Sequence, residues 1–411
     1  MASHDFPSIR NDGHGIDACH RFFCRNLAAP LRAQGARIIV GRCGPLDLDF
    51  ERWFLMQVDQ LFHRRLHHSL AMVVLCVSML GHGDHTVAST PQIDEILTQL
   101  GFNQSDAQGL MTGKILSNDL EETSDKELAI TIAMFIHASR DQVVQAVLTG
   151  KTLEVSRDVL TVTELDHKSV EADALAAVAL TEAEADEASK FLRAAAGSTY
   201  NLSQADIDRV KDISRRLQNS TLSTKGGVLH AANDAYRLIL ADRLGAYQQG
   251  GVRSIGPYER GRGKRATPDK ELTDAAGAAT VLAKNQPAFY RAFAHYPRHD
   301  TEGIEHHFYC FKQRVEGRPC FILAHRMFEQ TPDHALITER QFYVGHTYNS
   351  LQIVAGCLEV AGGTIVFYTN RTSTDQVAGM GSGLKHSIGR RQMLKEVTAH
   401  LKTVREAIEK Q

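Results

Sequence analysis

The chain has 411 residues, of which 43% are apolar, 23% charged and 7% aromatic, with 46 Lys and Arg against 48 Asp and Glu. This composition excludes a disordered, collagenous or coiled-coil chain, and the near-balance of charge excludes a nucleic-acid binder working by bulk electrostatics. The balance is local as well as global only up to residue 89: residues 90–250 carry 15 basic and 24 acidic side chains, and residues 251–411 carry 22 and 16.

In chain order, the first strong signal is the apolar run 69–80, Ser-Leu-Ala-Met-Val-Val-Leu-Cys-Val-Ser-Met-Leu. As a helix it rises about 18 Å, short of the ~30 Å core of a bilayer, so a transmembrane span is not expected. His63, Arg64 and Arg65 precede it, Gly81 and Gly83 follow it, and Val87-Ala88-Ser89 offers small residues for processing. This is the layout of a secretory signal over 56–89, starting at Met56 and cut near Ala88 or Ser89, with a periplasmic or secreted product. Residues 1–55 then read as an upstream extension, poorly ordered, and residues 90–411 as one mature domain. The alternative is a buried core helix at 69–80.

Thr90-Pro91 opens a short helix with Ile93, Ile96, Leu97 and Leu100 on one face, ended by Gly101. A second short helix follows over 105–112, then a strand over 114–120. Residues 127–138 are rich in β-branched and apolar side chains and read as a buried strand. Ser139 caps a helix through Leu148. Two short strands are expected in 152–164. Residues 168–248 read as helical, with starts at Thr181-x-x-Glu184 and Ser203-x-x-Asp206, the latter an incomplete capping box because Asp is shorter than Glu. Gly250-Gly251 ends this stretch. Arg260-Gly-Arg-Gly-Lys-Arg265 lacks the Lys-Ser/Thr of a phosphate loop and reads as an exposed basic loop. Helices are expected over 269–284 and 286–296.

From residue 306 the period changes to two. Residues 306–314 and 319–329 form an expected hairpin, 337–348 a strand, and 351–360 with 363–371 a second hairpin. A glycine loop at Gly379, Gly381 and Gly383 leads to an amphipathic helix over 385–409. Cys310, Cys320 and Cys357 follow the expected cut. Cys310 and Cys320 flank the first hairpin turn and would either bridge it or sit as two buried thiols, the second being preferred.

A strand running through Ala138-Ser139 into a short helix, and two final strands followed by a long amphipathic helix, resemble the helix-grip arrangement of START-like domains. The resemblance implies an α+β fold in which an antiparallel sheet wraps a long C-terminal helix, with a large helical insertion over about 168–300. The alternative is a separate α domain before an α+β one. The chain also resembles an uncharacterised bacterial family of exported proteins in Asp119–Leu128, Asn201-Leu-Ser203, Ser254–Tyr258, Gln341–Tyr348 and Tyr368–Arg371. That resemblance implies no catalytic residue.

A helix-grip sheet implies a cavity between its concave face and the long helix. By period two, Arg340, Phe342, Val344, His346 and Tyr348 share one face, with Gln341 and Tyr343 on the other. Ile365, Phe367 and Arg371 alternate with Val366, Tyr368 and Asn370. The candidate ligand-binding residues are Arg340, Tyr343, His346, Tyr348, Tyr368 and Arg371, with His346, Tyr348 and Arg371 the preferred polar cluster. There is no Gly-x-Ser-x-Gly elbow, no His-Glu-x-x-His, no Cys-x-x-Cys and no dinucleotide fingerprint. Asp375, Glu339 and Glu359 supply carboxylates without a recognisable pairing. The expectation is therefore an exported binder of a lipid or other amphipathic small molecule, with no metal, cofactor or nucleic-acid partner. A hydrolase-like envelope enzyme and an interaction scaffold built on 168–248 are the alternatives.

Overall fold

A computed structural model describes residues 93–148, 159–165, 172–218, 224–299 and 302–410. The expected extension, signal segment and cleavage site lie outside the described residues, which all belong to one compact unit, Leu48–Gln411. The elements in order are α1 (Ile93–Gln99), α2 (Gln104–Met111), β1 (Leu116–Asp119), β2 (Glu127–Ile136), α3 (Arg140–Leu148) and β3 (Val159–Leu165). The insertion holds α4 (Ala185–Phe191), α5 (Gln204–Gln218), α6 (Lys225–Gly250), a small hairpin of β4 (Tyr258–Glu259) and β5 (Arg265–Ala266), then α7 (Pro268–Gly277), α8 (Thr280–Asn285) and α9 (Pro287–His295). The chain closes with β6 (Glu305–Val315), β7 (Arg318–Gln330), β8 (His334–Val344), β9 (Ser350–Val360), β10 (Gly363–Ser373) and α10 (Ser382–Glu409).

Eight strands form one antiparallel sheet in the order β1-β2-β10-β9-β8-β7-β6-β3. β2 lies beside the last strand, while β3, next after α3, lies at the far edge. That is the helix-grip order, and the fold is α+β with α10 packed on the sheet. Val397, Leu401, Val404 and Ile408 of α10 follow Met393 at steps of four, four, three and four, so they share one face. They bury against Leu128, Ile130, Ile132 and Met134 of β2, each worth about 1.5–3 kcal/mol of apolar burial. Gly389 lets the helix come close, because a Cβ there would stand 3.0 Å from Leu128 Cδ1.

The opposite face is covered in three patches. α6 lays Tyr236, Ile239, Leu240, Leu244 and Tyr247 on Phe308, Phe321, Leu323, Phe342 and Tyr343. α9 places Phe289 and Phe293 on Met327 and Leu336. α1 and α2 place Ile96, Leu97, Leu100 and Leu110 near Ala133, Phe135, Ile365 and Phe367. The insertion thus shares its core with the sheet and is no separate α domain.

Local capping explains several boundaries. Ser139 and Gln142 bond reciprocally at the start of α3. Ser203 and Asp206 do the same at α5, with Ser203 N donating to Asp206 Oδ2 at 2.9 Å and Asp206 N donating to Ser203 Oγ at 3.2 Å. Asp206 therefore completes the box that its shorter side chain was expected to leave open. The helix expected over 269–284 breaks at Ala278-Ala279 into α7 and α8. Of the two strands expected in 152–164, one is β3 and the other lies outside the described residues. In the first hairpin Cys310 faces Leu323 while Cys320 faces Gln313, so the two cysteines are out of register, and both are free buried thiols.

The basic segment at 260–265 forms the turn of the β4–β5 hairpin, and residues 262–265 are exposed as expected. Arg260 turns inward. Its Nε donates to Asp375 at 2.6 Å, and its Nη2 donates to Asn201 Oδ1 at 2.7 Å and Asn349 Oδ1 at 2.8 Å.

Candidate functional site: a cavity on the outer face of the sheet

Alternation along β9 and β10 decides where the chemistry falls. Leu351, Ile353 and Cys357 join the α10 core, as does Tyr368. Gln352, Val354, Gly356 and Leu358, with Phe367, Thr369 and Arg371, point the other way. They floor a cavity of about 710 Å³ that α1, α8 and residues 120–123 enclose. The expected cavity was on the α10 side. The aliphatic stripe of the helix packs on that face, and the cavity described here lies on the reverse of the sheet. Gly356 keeps the floor low, since a Cβ there would crowd Leu336 Cδ2 at 3.3 Å.

The cavity is elongated. From Gln352 to Leu358 the floor follows a strand for about 20 Å. Its middle is apolar, made by Val354, Leu358 and Phe367 below and Ile96, Leu100, Val281 and Leu282 above. Its ends are polar. At one end His334 accepts or donates to Thr331 Oγ1 at 3.1 Å and Glu329 at 3.3 Å, with Gln286 beside it. At the other end stand Arg371 and Gln352, with Thr369 beside Val354 on the way to it.

Arg371 Nη1 donates to the Glu121 carbonyl at 3.0 Å and to Glu127 Oε2 at 2.9 Å. No bond from its Nη2 or Nε is made to a described residue, so these donors are available to a guest. Glu127 is 1% exposed, and its Oε1 has no partner among the described residues. Burial raises its pKa, and Arg371 and the Thr123 N–H only partly oppose that. Gln352 Oε1 is likewise buried without a partner among the described residues. The end of the cavity therefore offers guanidinium donors and an amide that both lack a complete set of bonds. Cys357 borders the cavity as well, but its side chain belongs to the α10 core, where burial pushes the thiol up to about 12.

Of the six candidate residues, the cavity wall takes Arg371 alone. Arg340 faces the insertion, where Nη1 donates to the Tyr247 hydroxyl at 3.1 Å and Nη2 to the Phe293 carbonyl at 3.3 Å. Tyr343 also faces the insertion, under the Arg243 guanidinium at 4.5 Å, and burial holds its hydroxyl far above the usual range. His346 lies past the end of β8, with Nε2 donating to the Pro319 carbonyl at 3.2 Å and Nδ1 bonded to Thr347 Oγ1 at 2.7 Å. Burial, then the Arg318 charge, push it down to about 4, so it is neutral and structural. Tyr348 donates to Gln341 Oε1 on the α10 side. Tyr368, on that side too, accepts from Asn370 Nδ2 at 3.1 Å. The preferred cluster of His346, Tyr348 and Arg371 does not form.

The assumed alternation fails at a β-bulge. Leu323 pairs with Tyr343 and Ala324 with Gln341, which leaves Phe342 as an extra residue. Phe342 and Tyr343 both face the insertion and Val344 returns to the α10 side, so Tyr343 joins Arg340 instead of Gln341. His306 and His325, which the sequence places in neighbouring strands, join a buried chain beneath α6: Tyr247 hydroxyl to His325 Nδ1 at 3.1 Å, and His325 Nε2 to His306 Nδ1 at 3.0 Å. Arg340 can only donate to the Tyr247 oxygen, and the tautomer of His325 sets the direction of the two bonds beyond it. The segments at 201–203, 254–258 and 341–348 meet at the joint of insertion and sheet. There Asn201 Nδ2 donates to the Val344 carbonyl at 2.8 Å and the Tyr348 carbonyl at 2.6 Å. They hold the fold together and do not line the cavity.

Among the described residues no group of three or more His, Cys, Asp or Glu is placed to hold a metal ion, and no helix is long and apolar enough to cross a membrane. Comparison with protein-family models, with curated proteins and with solved structures returns no match.

Proposed function

We propose that this chain binds an elongated amphipathic small molecule, such as a lipid with an anionic or carbonyl head. The apolar body would lie along Val354, Leu358 and Phe367, and the head would meet Arg371 and Gln352. The observation that carries this reading is a cavity of about 710 Å³ with an apolar middle and under-bonded polar groups at one end. That volume lies within the ~300–1,000 Å³ of ordinary small-molecule sites, and the mixture of lining is theirs as well. The signal-like segment 56–89 and the START-like order of strands support an exported carrier.

The test is native mass spectrometry of the purified chain, followed by thermal denaturation of delipidated protein with a long-chain fatty acid. A guest that binds the folded state at 100 times its Kd adds about 2.7 kcal/mol of stability. Val354→Phe fills the floor and is expected to abolish that shift while leaving the unliganded protein folded. If native protein carries no guest and no amphiphile shifts the transition, the reading is wrong.

A further inference from the structure

The start of α10 carries a surface that the core does not use. Met380 is 96% exposed, Leu384 62% and Ile388 54%, and they rank among the few large apolar side chains left in water. Leu384, Ile388, Arg391 and Lys395 fall at steps of four, three and four, which puts them on one ridge of the helix. Lys385, Arg391 and Lys395 are exposed beside the apolar residues. Between 382 and 395 the chain has no acidic residue at all. Within that stretch Lys385 Nζ donates to the Ala378 carbonyl at 3.1 Å, which keeps it beside the Met380 turn, while His386 bonds Glu122 at 2.7 Å and Arg390 bonds Glu122 at 2.9 Å and Asp119 at 3.4 Å.

We propose that this ridge docks on an anionic lipid bilayer, with Met380, Leu384 and Ile388 entering the headgroup boundary and Lys385, Arg391 and Lys395 lying over acidic headgroups. An amphipathic helix that joins apolar residues to a cationic flank binds such a surface through both terms. The charge pattern argues against a second copy as the occupant, since pairing two such ridges sets like charges together. It argues against nucleic acid as well, which would leave the three apolar side chains in water. Gly379 and Gly381 flank Met380 with φ of 82° and 76°, and nothing stands within 4 Å of where their Cβ atoms would be. Met380 therefore sits at the tip of an open turn, projecting beyond the helix. The surface adjoins the cavity through one short segment, because Glu122, which anchors His386 and Arg390, also lines the cavity rim. The proposal uses residues outside the cavity and does not depend on what the cavity holds.

The experiment is co-sedimentation of the full chain with vesicles of phosphatidylcholine alone and with 30% phosphatidylglycerol. Wild type is compared with a Met380→Ser, Leu384→Ser, Ile388→Ser variant and with a Lys385→Gln, Arg391→Gln, Lys395→Gln variant. All six side chains are exposed, and the charge variant tests the surface independently should the serine variant misfold. Wild type is expected to bind the anionic vesicles, more weakly as salt rises. The charge variant should lose affinity by roughly fivefold per side chain, or about 100-fold in all, and the serine variant by at least tenfold. Equal sedimentation of the three proteins would overturn the proposal, as would equal binding to neutral and anionic vesicles. So would a concentration-dependent dimer abolished by the serine changes without any vesicle binding.

Discussion

Replacing Arg371 by Met isolates the energetics of the polar end of the cavity. Arg371 is 9% exposed and Glu127 1%, so the variant leaves a carboxylate buried with the Thr123 N–H as its remaining donor. Breaking a buried pair by removing one partner costs about 3–5 kcal/mol, most of it the desolvation of the charge left behind. The Glu127 carboxyl has an escape, which is to bind a proton. Burial already raises its pKa in the native protein, and the Arg371 charge is the largest influence pulling it down. Without Arg371 it rises further.

The sign follows from linkage. A carboxyl whose folded pKa is raised stabilises the fold fully below its unfolded value, and that stability is lost as pH climbs through the folded value. The penalty of Arg371→Met is therefore greatest at neutral pH and shrinks on acidification, by 1.36 kcal/mol for each unit of additional rise. Urea unfolding followed by circular dichroism at pH 7 and pH 5 measures the gap at each pH. The double variant Glu127→Gln, Arg371→Met removes both charges and should regain most of the loss at pH 7. A single variant within about 1 kcal/mol of wild type at pH 7, or a gap that does not change with pH, would refute the reasoning.

His346, held near 4 by burial, stays neutral in the folded chain while the unfolded chain takes a proton near 6.5. Its contribution is complete above pH 6.5 and declines as pH falls toward 4, by up to about 3 kcal/mol, and His346→Gln should flatten that part of the stability profile. Gly251 closes α6 with φ of 62°, and a Cβ there would lie 1.9 Å from the Tyr296 carbonyl oxygen. Gly251→Ala should thus cost at least about 3 kcal/mol, read as a lowered urea midpoint. Tyr247→Phe removes the hydroxyl between Arg340 and His325. With both neighbours buried, the expected loss is about 1–3 kcal/mol, and the imidazole proton signals of His325 and His306 should shift in NMR spectra.

The strands and α10 were legible because burial on one side writes a period into the sequence, two for β9 and β10 and 3.6 for α10. The capped start of α3 was legible because Ser139 and Gln142 are three residues apart. The faces of β8 were not, because one extra residue at Phe342 shifts the phase of everything after it, and a bulge has no mark in composition. Arg260 was misread because its partners are 59, 89 and 115 residues distant in sequence. Of the cavity residues, Arg371 could be picked out as the one charge on its strand. Gln352, its cross-strand neighbour, looked like any polar residue in a β-hairpin.

Which face of the sheet holds the cavity is a matter of helix length, and amphipathic pattern alone does not carry that information. α10, with 28 residues, extends for about 42 Å and can cover a strand from end to end. On the other face α1 has seven residues and α8 six, so they span about 10 and 9 Å. Strands β8, β9 and β10 have 11 residues each, or about 36 Å. Two such short helices leave a floor of that length incompletely covered, and Ala278 and Ala279 between α7 and α8 add little bulk. Val281 of α8 packs on the apolar cluster of α1, and polar bonds add to it: Lys284 to Glu95 at 2.8 Å and Asn285 to Gln99 at 2.8 Å. Lys284 and Glu95 are both well exposed, and exposed ion pairs are weakly held. On the reading proposed above, the exposed Lys284–Glu95 pair between α1 and α8 marks where the cover would loosen to admit a guest.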